Sequence, residues 1–248
     1  MYLSEKQYRQ IAKTLPRQRG NVGIENRALL DGLVFRCKTG CAWRDLPKSF
    51  GKWHTIYTRL NRWAKSGVLE RVYAALAAEG LKMSPAFSPD STAVKAREKN
   101  GGQAIDRTRS GWNTKIHVAA ASDTVIAGFL LSGGNEPDAN AGRLLLETLD
   151  PRETTVDLAM DRAYSDDLTR MTAWSLRYNP IVPPKRNRKK PWAHDAEAYR
   201  KRNEVERFFR RLKTYRAVAT RYDKLDLMFS AFIWIACICI LLRSVNTP

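Results

Sequence analysis

The chain has 248 residues, 44% of them hydrophobic and 10% aromatic. That is enough for one sizeable core, or a core with a small accessory domain, and it excludes general disorder. Lysine and arginine number 43 against 25 Asp and Glu, a formal net charge of +18, so the expected partner is a polyanion: nucleic acid, or less often an anionic membrane surface.

Residues 1–20 hold no continuous apolar stretch and do not read as a secretory signal. Up to about residue 80 the pattern is helical. In residues 25–38, Leu29, Leu30, Leu33, Val34 and Cys37 follow a helical period, and Gly40 marks the end. A short helix over 42–46 precedes Pro47, and 52–65 sets Trp53, Ile56, Tyr57, Leu60 and Trp63 on one stripe. Lys52, Thr55, Arg59 and Arg62 form a separate polar face, and another helix covers 68–78. A helix-turn-helix with a basic face fits this order; so does a plain helical bundle with solvated cations. The prolines and serines of 83–89 place a domain boundary there, giving a helical domain over 1–84 and a second domain over 85–248.

Beyond the boundary, strands are expected over 92–96, 114–121 and 125–131, then a helix over 139–149 and a strand ending near Met160. A helix over 166–176, a short strand at 180–183 and a long helix over 196–215 follow. The run 227–242, LMFSAFIWIACICILL, is somewhat short of the roughly 20 residues that span a bilayer and reads as a buried core helix. The fold class is therefore α/β, a mixed sheet flanked by helices after a small all-α domain. The spacings of Cys37, Cys41, Cys237 and Cys239 do not form a zinc pair, and His54, His117 and His194 show no metal-ligand spacing.

Three carboxylates stand out. Asp90 lies at the start of one expected strand and Asp161 at the end of another, where acids commonly build a site above a sheet. In the long helix, at about 100° per residue, Tyr199 and Lys213 fall within about 20° of Glu206 and Arg202 within about 40°. One face thus carries a phenol, a guanidinium, a carboxylate and an ammonium, while Glu204 points away. Two readings are open for this row: a charged helix with ion pairs four residues apart, or a metal ligand among phosphate-binding cations.

The row Tyr199, Arg202, Glu206 and Lys213, spaced Y-x2-R-x3-E-x6-K, resembles the signature of the DDE transposases of bacterial insertion sequences of the IS-four and IS-five kinds. TGCAWRDLPKSFGKWHTIYTRLNRW, PDST, RTRSGWNTKIH, MDRAYSDD, PIVPPKRNRKK and ERFFRRLKTYRAVATRYDKL resemble that group's segments in its order. The resemblance implies a ribonuclease H-like core with Asp90, Asp161 and Glu206 as catalytic ligands of two divalent metal ions, Mg2+ with Mn2+ able to substitute. It also implies phosphate contacts from Tyr199, Arg202 and Lys213. Double-stranded DNA, as terminal inverted repeats and as target, is the implied partner, held by a homodimer or larger assembly in the cytoplasm and not at a membrane. Arg59 and Arg62 are the expected contacts of the helical domain with the repeats. Two departures from the family pattern are Asp106, where the family usually has Gly, and Asn135-Glu136-Pro137-Asp138, where it often has Gln-x-His-Asp. The competing reading is a DNA-binding relic or repressor that no longer cuts; another is a nuclease that cuts without joining.

Overall fold

A computed structural model of the chain describes residues 3–18, 23–97, 102–149 and 154–244. It divides into two compact units, one made of 1–78, 96–103 and 211–248, the other of 79–95 and 104–210. The sequence draws one boundary at 84/85; by packing, the segment from 211 onward lies with the first 78 residues.

The first unit is built from helices. α1 (Glu5–Ala12) begins in a capping box, with Ser4 and Gln7 each bonded to the other's backbone N–H. α2 (Asn26–Thr39) ends at Gly40, whose φ of +67° is open to glycine at no steric cost. α3 (Trp53–Lys65) follows after two single 3-10 turns, and α4 (Val68–Met83) after Ser66 and Gly67. The connection from Gly40 to Lys52 is far longer than the turn of a compact helix-turn-helix; the short turn lies instead between α3 and α4. α4 runs beyond the expected 78 because Met83 and Lys82 are as acceptable to a helix as to a loop.

After the single turn α9 (Arg216–Ala219), α10 (Asp226–Ser244) answers the apolar run. By length and composition it is the one helix among the described residues that would suffice to cross a membrane, yet most of its apolar window is buried inside the protein. It packs on α2 and α3, burying Phe229, Phe232, Ile233 and Ala236, together with Cys237 and Cys239. Burial pushes both thiols well above their ordinary range, which suits inert structural cysteines.

Arg221, fully buried, completes this unit. Its guanidinium donates to the Asp223 and Lys224 carbonyls and to Asp226 Oδ1 at 2.7 Å.

The second unit holds the sheet. β1 (Ala86–Ala96) pairs antiparallel with β3 (Gly111–Ala120), β3 with β4 (Ile126–Gly133), and the short β2 (Asp106–Thr108) with the start of β3. On its other side β1 runs parallel to β5 (Val156–Ala159), and β5 parallel to β6 (Tyr178–Ile181). The order β4-β3-β1-β5-β6, with only β3 reversed, is the ribonuclease H-like arrangement. α5 (Asp138–Glu147) packs on β3 and β4, and against α6 (Asp167–Ser175), which covers β6. Phe87, Leu158, Met160, Tyr164 and Tyr178 form the core between them.

β1 begins six residues earlier than expected. Pro89 argues against a strand because it has no N–H to give. The structure accommodates it: ladder pairing of β1 with β5 ends at Phe87, two residues before the proline.

Two outcomes test this packing. A Cβ at Gly142, on α5, would stand 2.3 Å from Tyr164 Cε1. Gly142→Ala therefore lowers stability by about 1–3 kcal/mol despite alanine's better helix propensity; urea unfolding at or above the wild-type midpoint would contradict that close approach. His117 is fully buried with Nε2 2.7 Å from Ser132 Oγ, and burial pushes its pKa down from 6.5 to about 4, Asp138 offsetting only part. The unfolded chain then takes up a proton that the fold refuses. Stability is full above pH 6.5 and declines as pH falls to 4, by about 3 kcal/mol in all. His117→Gln should flatten this window in pH-dependent melting; an unchanged slope would count against it.

Candidate active site

Asp90 sits in the middle of β1, beyond the point where β5 has stopped pairing. The parallel register, Ala86 beside Asp157 and Phe87 beside Leu158, sets Asp161 level with Asp90 when carried forward at the same offset. Asp161 leaves the end of β5 and caps a 3-10 turn, Arg162–Tyr164, accepting from the Ala163 N–H at 3.1 Å. Parallel strands whose ends diverge are where α/β folds build sites.

The expected single helix over 196–215 is three pieces. α7 (Ala196–Tyr199) passes through a 3-10 turn, Arg200–Arg202, into α8 (Asn203–Leu212). Asp195 caps α7, accepting from the N–H groups of Glu197 and Ala198. The 3-10 turn is anchored by Ser88 on β1, whose hydroxyl donates to the Lys201 carbonyl at 3.1 Å. The unbroken helical row is therefore corrected. Tyr199 and Arg202 precede α8, and Lys213 stands exposed in the turn after it, inside the other compact unit.

What the segments of the second unit bring together is tighter than the row. The Arg202 guanidinium lies among three carboxylates, with Nη2 2.8 Å from Asp90 Oδ2 and 3.1 Å from Asp161 Oδ2, and Nη1 2.7 Å from Glu206 Oε1. Burial opposes the charge on Arg202, but Asp90, Asp161, Tyr199 and Glu206 outweigh it and hold the guanidinium more firmly protonated than usual. Burial raises the pKa of Asp90, with the Ser91 N–H and Arg202 opposing. Asp90 has 17% of its side chain exposed, Asp161 42% and Glu206 45%, so the cluster opens toward solvent on the Asp161 and Glu206 side. Glu204 does point elsewhere, accepting from the Asp123 N–H and pairing with Arg207.

Tyr199 is half-buried, its hydroxyl pKa raised by burial within the field of Arg202 and Asp161. Tyr164, buried beneath the carboxylates, has its pKa pushed up by burial and then by Asp90, Asp138 and Asp161.

In the helical unit, Arg59 is half-buried. It donates to the Ile24 carbonyl and Asn26 Oδ1. Arg62 is exposed and, with Arg17, Gln18, Thr55, Ser66 and Arg59 itself, lines a cleft of about 500 Å³. His54 and His194 are exposed.

Comparison with known proteins bears on this arrangement. Residues 83–242 match the family described as "Transposase DDE domain", which covers more than half of the chain. The chain belongs to the DDE transposase family. Residues 3–73 match a domain assigned to the IS4/5 transposase family. A protein of insertion element IS402 from Burkholderia cepacia, of 16.2 kDa and itself uncharacterised, is 36% identical over 103 residues, covering 38% of this chain and 68% of its own length. The uncharacterised protein y4sN of Sinorhizobium fredii is 37% identical over 78 residues, 31% of this chain and 60% of its own length. Among solved structures, the piggyBac transposase in a synaptic complex with hairpin DNA superposes with a TM-score of 0.54 at 10% identity, covering 99% of this chain and 73% of that one. At that identity the likeness speaks to the fold.

The family generally uses divalent metal ions. The donor set here suits them, since three carboxylates offer hard oxygens and already converge on one positive centre. Among the described residues, however, no three His, Cys, Asp or Glu side chains stand together as a ready cation cage; the guanidinium fills the space between them.

Both departures from the family pattern have a place. Asp106 lies over Gly133, where a Cβ would collide with its carboxylate, and accepts from the Asn135 N–H at 3.3 Å. Asp138 accepts from Ser91 Oγ at 2.8 Å and from Lys115 Nζ at 3.0 Å, tying the start of α5 to the strands beside Asp90. Sequence reading did not single out Ser91, Lys115 or Tyr164. PDST, RTRSGWNTKIH and MDRAYSDD contain one each, and the signal was their place within those motifs.

Proposed function

We propose that the chain is an insertion-sequence transposase that cuts DNA at the element's ends and joins the freed 3′-hydroxyl to target DNA. The observation that carries this reading is the convergence of Asp90, Asp161 and Glu206, from three separate segments, on the Arg202 guanidinium at 2.7–3.1 Å. Two divalent ions, Mg2+ or Mn2+, held by these carboxylates would supply activation of the attacking oxygen and stabilisation of the leaving one.

The chain's own residues do the rest. Asp90, fixed by its strand and the Ser91 N–H, is the rigid ligand; Asp161 and Glu206, more exposed, adjust to the incoming strand. Arg202 turns from the carboxylates to a phosphate, which a planar fork binds in two-pronged fashion. Tyr199 and Lys213 offer further donors to the backbone near the cut. No covalent enzyme intermediate is required, so catalysis is positioning and charge stabilisation.

Residues 1–84 recognise the terminal repeats, with Arg59 and Arg62 as the contacts from one cleft; residues 85–248 carry the chemistry. Synapsis of two ends calls for a dimer or larger assembly, acting in the cytoplasm on the nucleoid. Between Lys185 and Lys224, 15 Lys or Arg stand against five Asp or Glu, so binding weakens steeply with salt.

The test is incubation of the full chain with labelled duplex carrying the element's flanking repeat, with Mg2+, with Mn2+ and with a chelator. The expected result is metal-dependent release of a 3′-hydroxyl and a joined product. Tight, repeat-specific binding with no cleavage under either metal would overturn this in favour of the DNA-binding relic; cleavage without joining would favour the nuclease.

A further inference from the structure

A hollow of about 260 Å³ in the first unit is lined by Lys38, Arg211, Thr214, Tyr215, Ile240 and Arg243. None of the six is acidic. Lys38 and Arg243 stand in the last turns of α2 and α10, and Arg211 near the end of α8. Cations at helix C-termini are individually ordinary, since each complements its helix dipole. Here three helices bring them to the same concavity, where like charges oppose one another: burial and then Arg243 push the pKa of Lys38 down.

The hollow is also organised. Lys38 Nζ donates to Thr214 Oγ1 at 3.0 Å, and that hydroxyl donates to the Arg211 carbonyl at 2.8 Å. The same ammonium lies 4.7 Å from the centre of the Tyr215 ring, which is buried beneath it. An ammonium held in place over an aromatic ring, beside two guanidiniums, presents a small oxyanion with a pre-placed cluster of positive charge.

We infer that this hollow is a phosphate subsite, taking a backbone phosphodiester of DNA through Lys38, Arg211 and Arg243. The inference rests on the reading of the chain as a protein that acts on DNA, but not on whether it cuts. A contact of this kind reads no sequence; it fixes where the duplex lies.

The test uses the full chain and a duplex of arbitrary sequence, with affinity measured by fluorescence anisotropy across a range of NaCl concentrations. Lys38→Gln with Arg243→Gln should lower the slope of log affinity against log salt by about 1, the loss of one phosphate contact, and weaken binding about tenfold at moderate salt. Lys95→Gln with Arg107→Gln, which removes as much charge from exposed strand positions outside the hollow and outside residues 1–84, should leave that slope within error of wild type. A pocket variant that melts like wild type and keeps the wild-type slope, or a control that loses as much, overturns the assignment.

Lysine acetylation read by mass spectrometry separates the sources of phosphate. Protection of Lys38 by the duplex supports the backbone subsite. Protection by inorganic phosphate but not by duplex, or by neither, refutes it. Because each readout is binding, an inactive enzyme that still shows the slope change would sink the transposase reading and leave the subsite standing.

Discussion

Glu206→Gln lowers end cleavage by about 1,000-fold or more while leaving the protein folded. The carboxylate is the group among Tyr199, Arg202, Glu206 and Lys213 whose charge the proposed chemistry cannot replace: an amide of the same shape keeps one oxygen but loses the anion that a divalent ion requires. Losing several kcal/mol of transition-state stabilisation corresponds to roughly that factor. Stability changes little, because the ion pair that Glu206 forms among the described residues is with Arg202, the carboxylate being 45% exposed, and is worth about 1 kcal/mol or less. Asp90→Asn should fall as far in single-turnover cleavage, and Asp161→Asn likewise. A Glu206→Gln rate within tenfold of wild type would remove Glu206 from the site.

Arg202→Met separates two effects that most site variants confound. The guanidinium now neutralises three carboxylates at 2.8, 3.1 and 2.7 Å. Without it the anions face one another unscreened, and a divalent ion no longer has to displace a resident cation. Affinity for Mn2+ should rise by about tenfold, some 1.4 kcal/mol, while cleavage falls by about 100-fold because the two-pronged phosphate contact is lost. Arg202→Lys should lie between, keeping charge but not the fork. Calorimetric titration of the chain with Mn2+ reads the first effect without any DNA. Unchanged or weaker Mn2+ binding in Arg202→Met would mean that the guanidinium does not stand in the metal's place.

Much of this site was legible in the sequence because the chemistry is carried by local motifs. Asp161 could be placed at a strand end from the run Leu158-Ala159-Met160, and Glu206 could be separated from Glu204 by helical phase alone. Asp90 was placed correctly in outline but at a strand's beginning, since Pro89 hides the first half of β1. The helical phase of Tyr199, Arg202, Glu206 and Lys213 found one neighbour, Arg202 beside Glu206, for a partly wrong reason. A 3-10 turn at Arg200–Arg202 interrupts the helix, and Lys213 lies beyond its end. What keeps Arg202 at Glu206 is the i, i+4 spacing that survives the interruption.

The position of Arg202 between Asp90 and Asp161 was not legible. It depends on the parallel register of β1 and β5 and on Ser88 holding the Lys201 carbonyl, contacts between segments far apart in the chain. The hydrogen bonds of Arg59 to the Ile24 carbonyl and Asn26 Oδ1 were hidden for the same reason. The apolar run was ambiguous by composition; its packing on α2 and α3, which buries most of it, came only from the fold.

The central claim is that Asp90, Asp161 and Glu206 together hold the metal that serves the cut. Its most direct measurement is the Mn2+ retained by the complex of full chain and end duplex, read by electron paramagnetic resonance against duplex alone, for wild type and for the combined Asp90→Asn, Asp161→Asn and Glu206→Gln variant. The account predicts about two tightly held ions per wild-type site and none above the duplex background in the variant. Equal occupancy in the two complexes would contradict it.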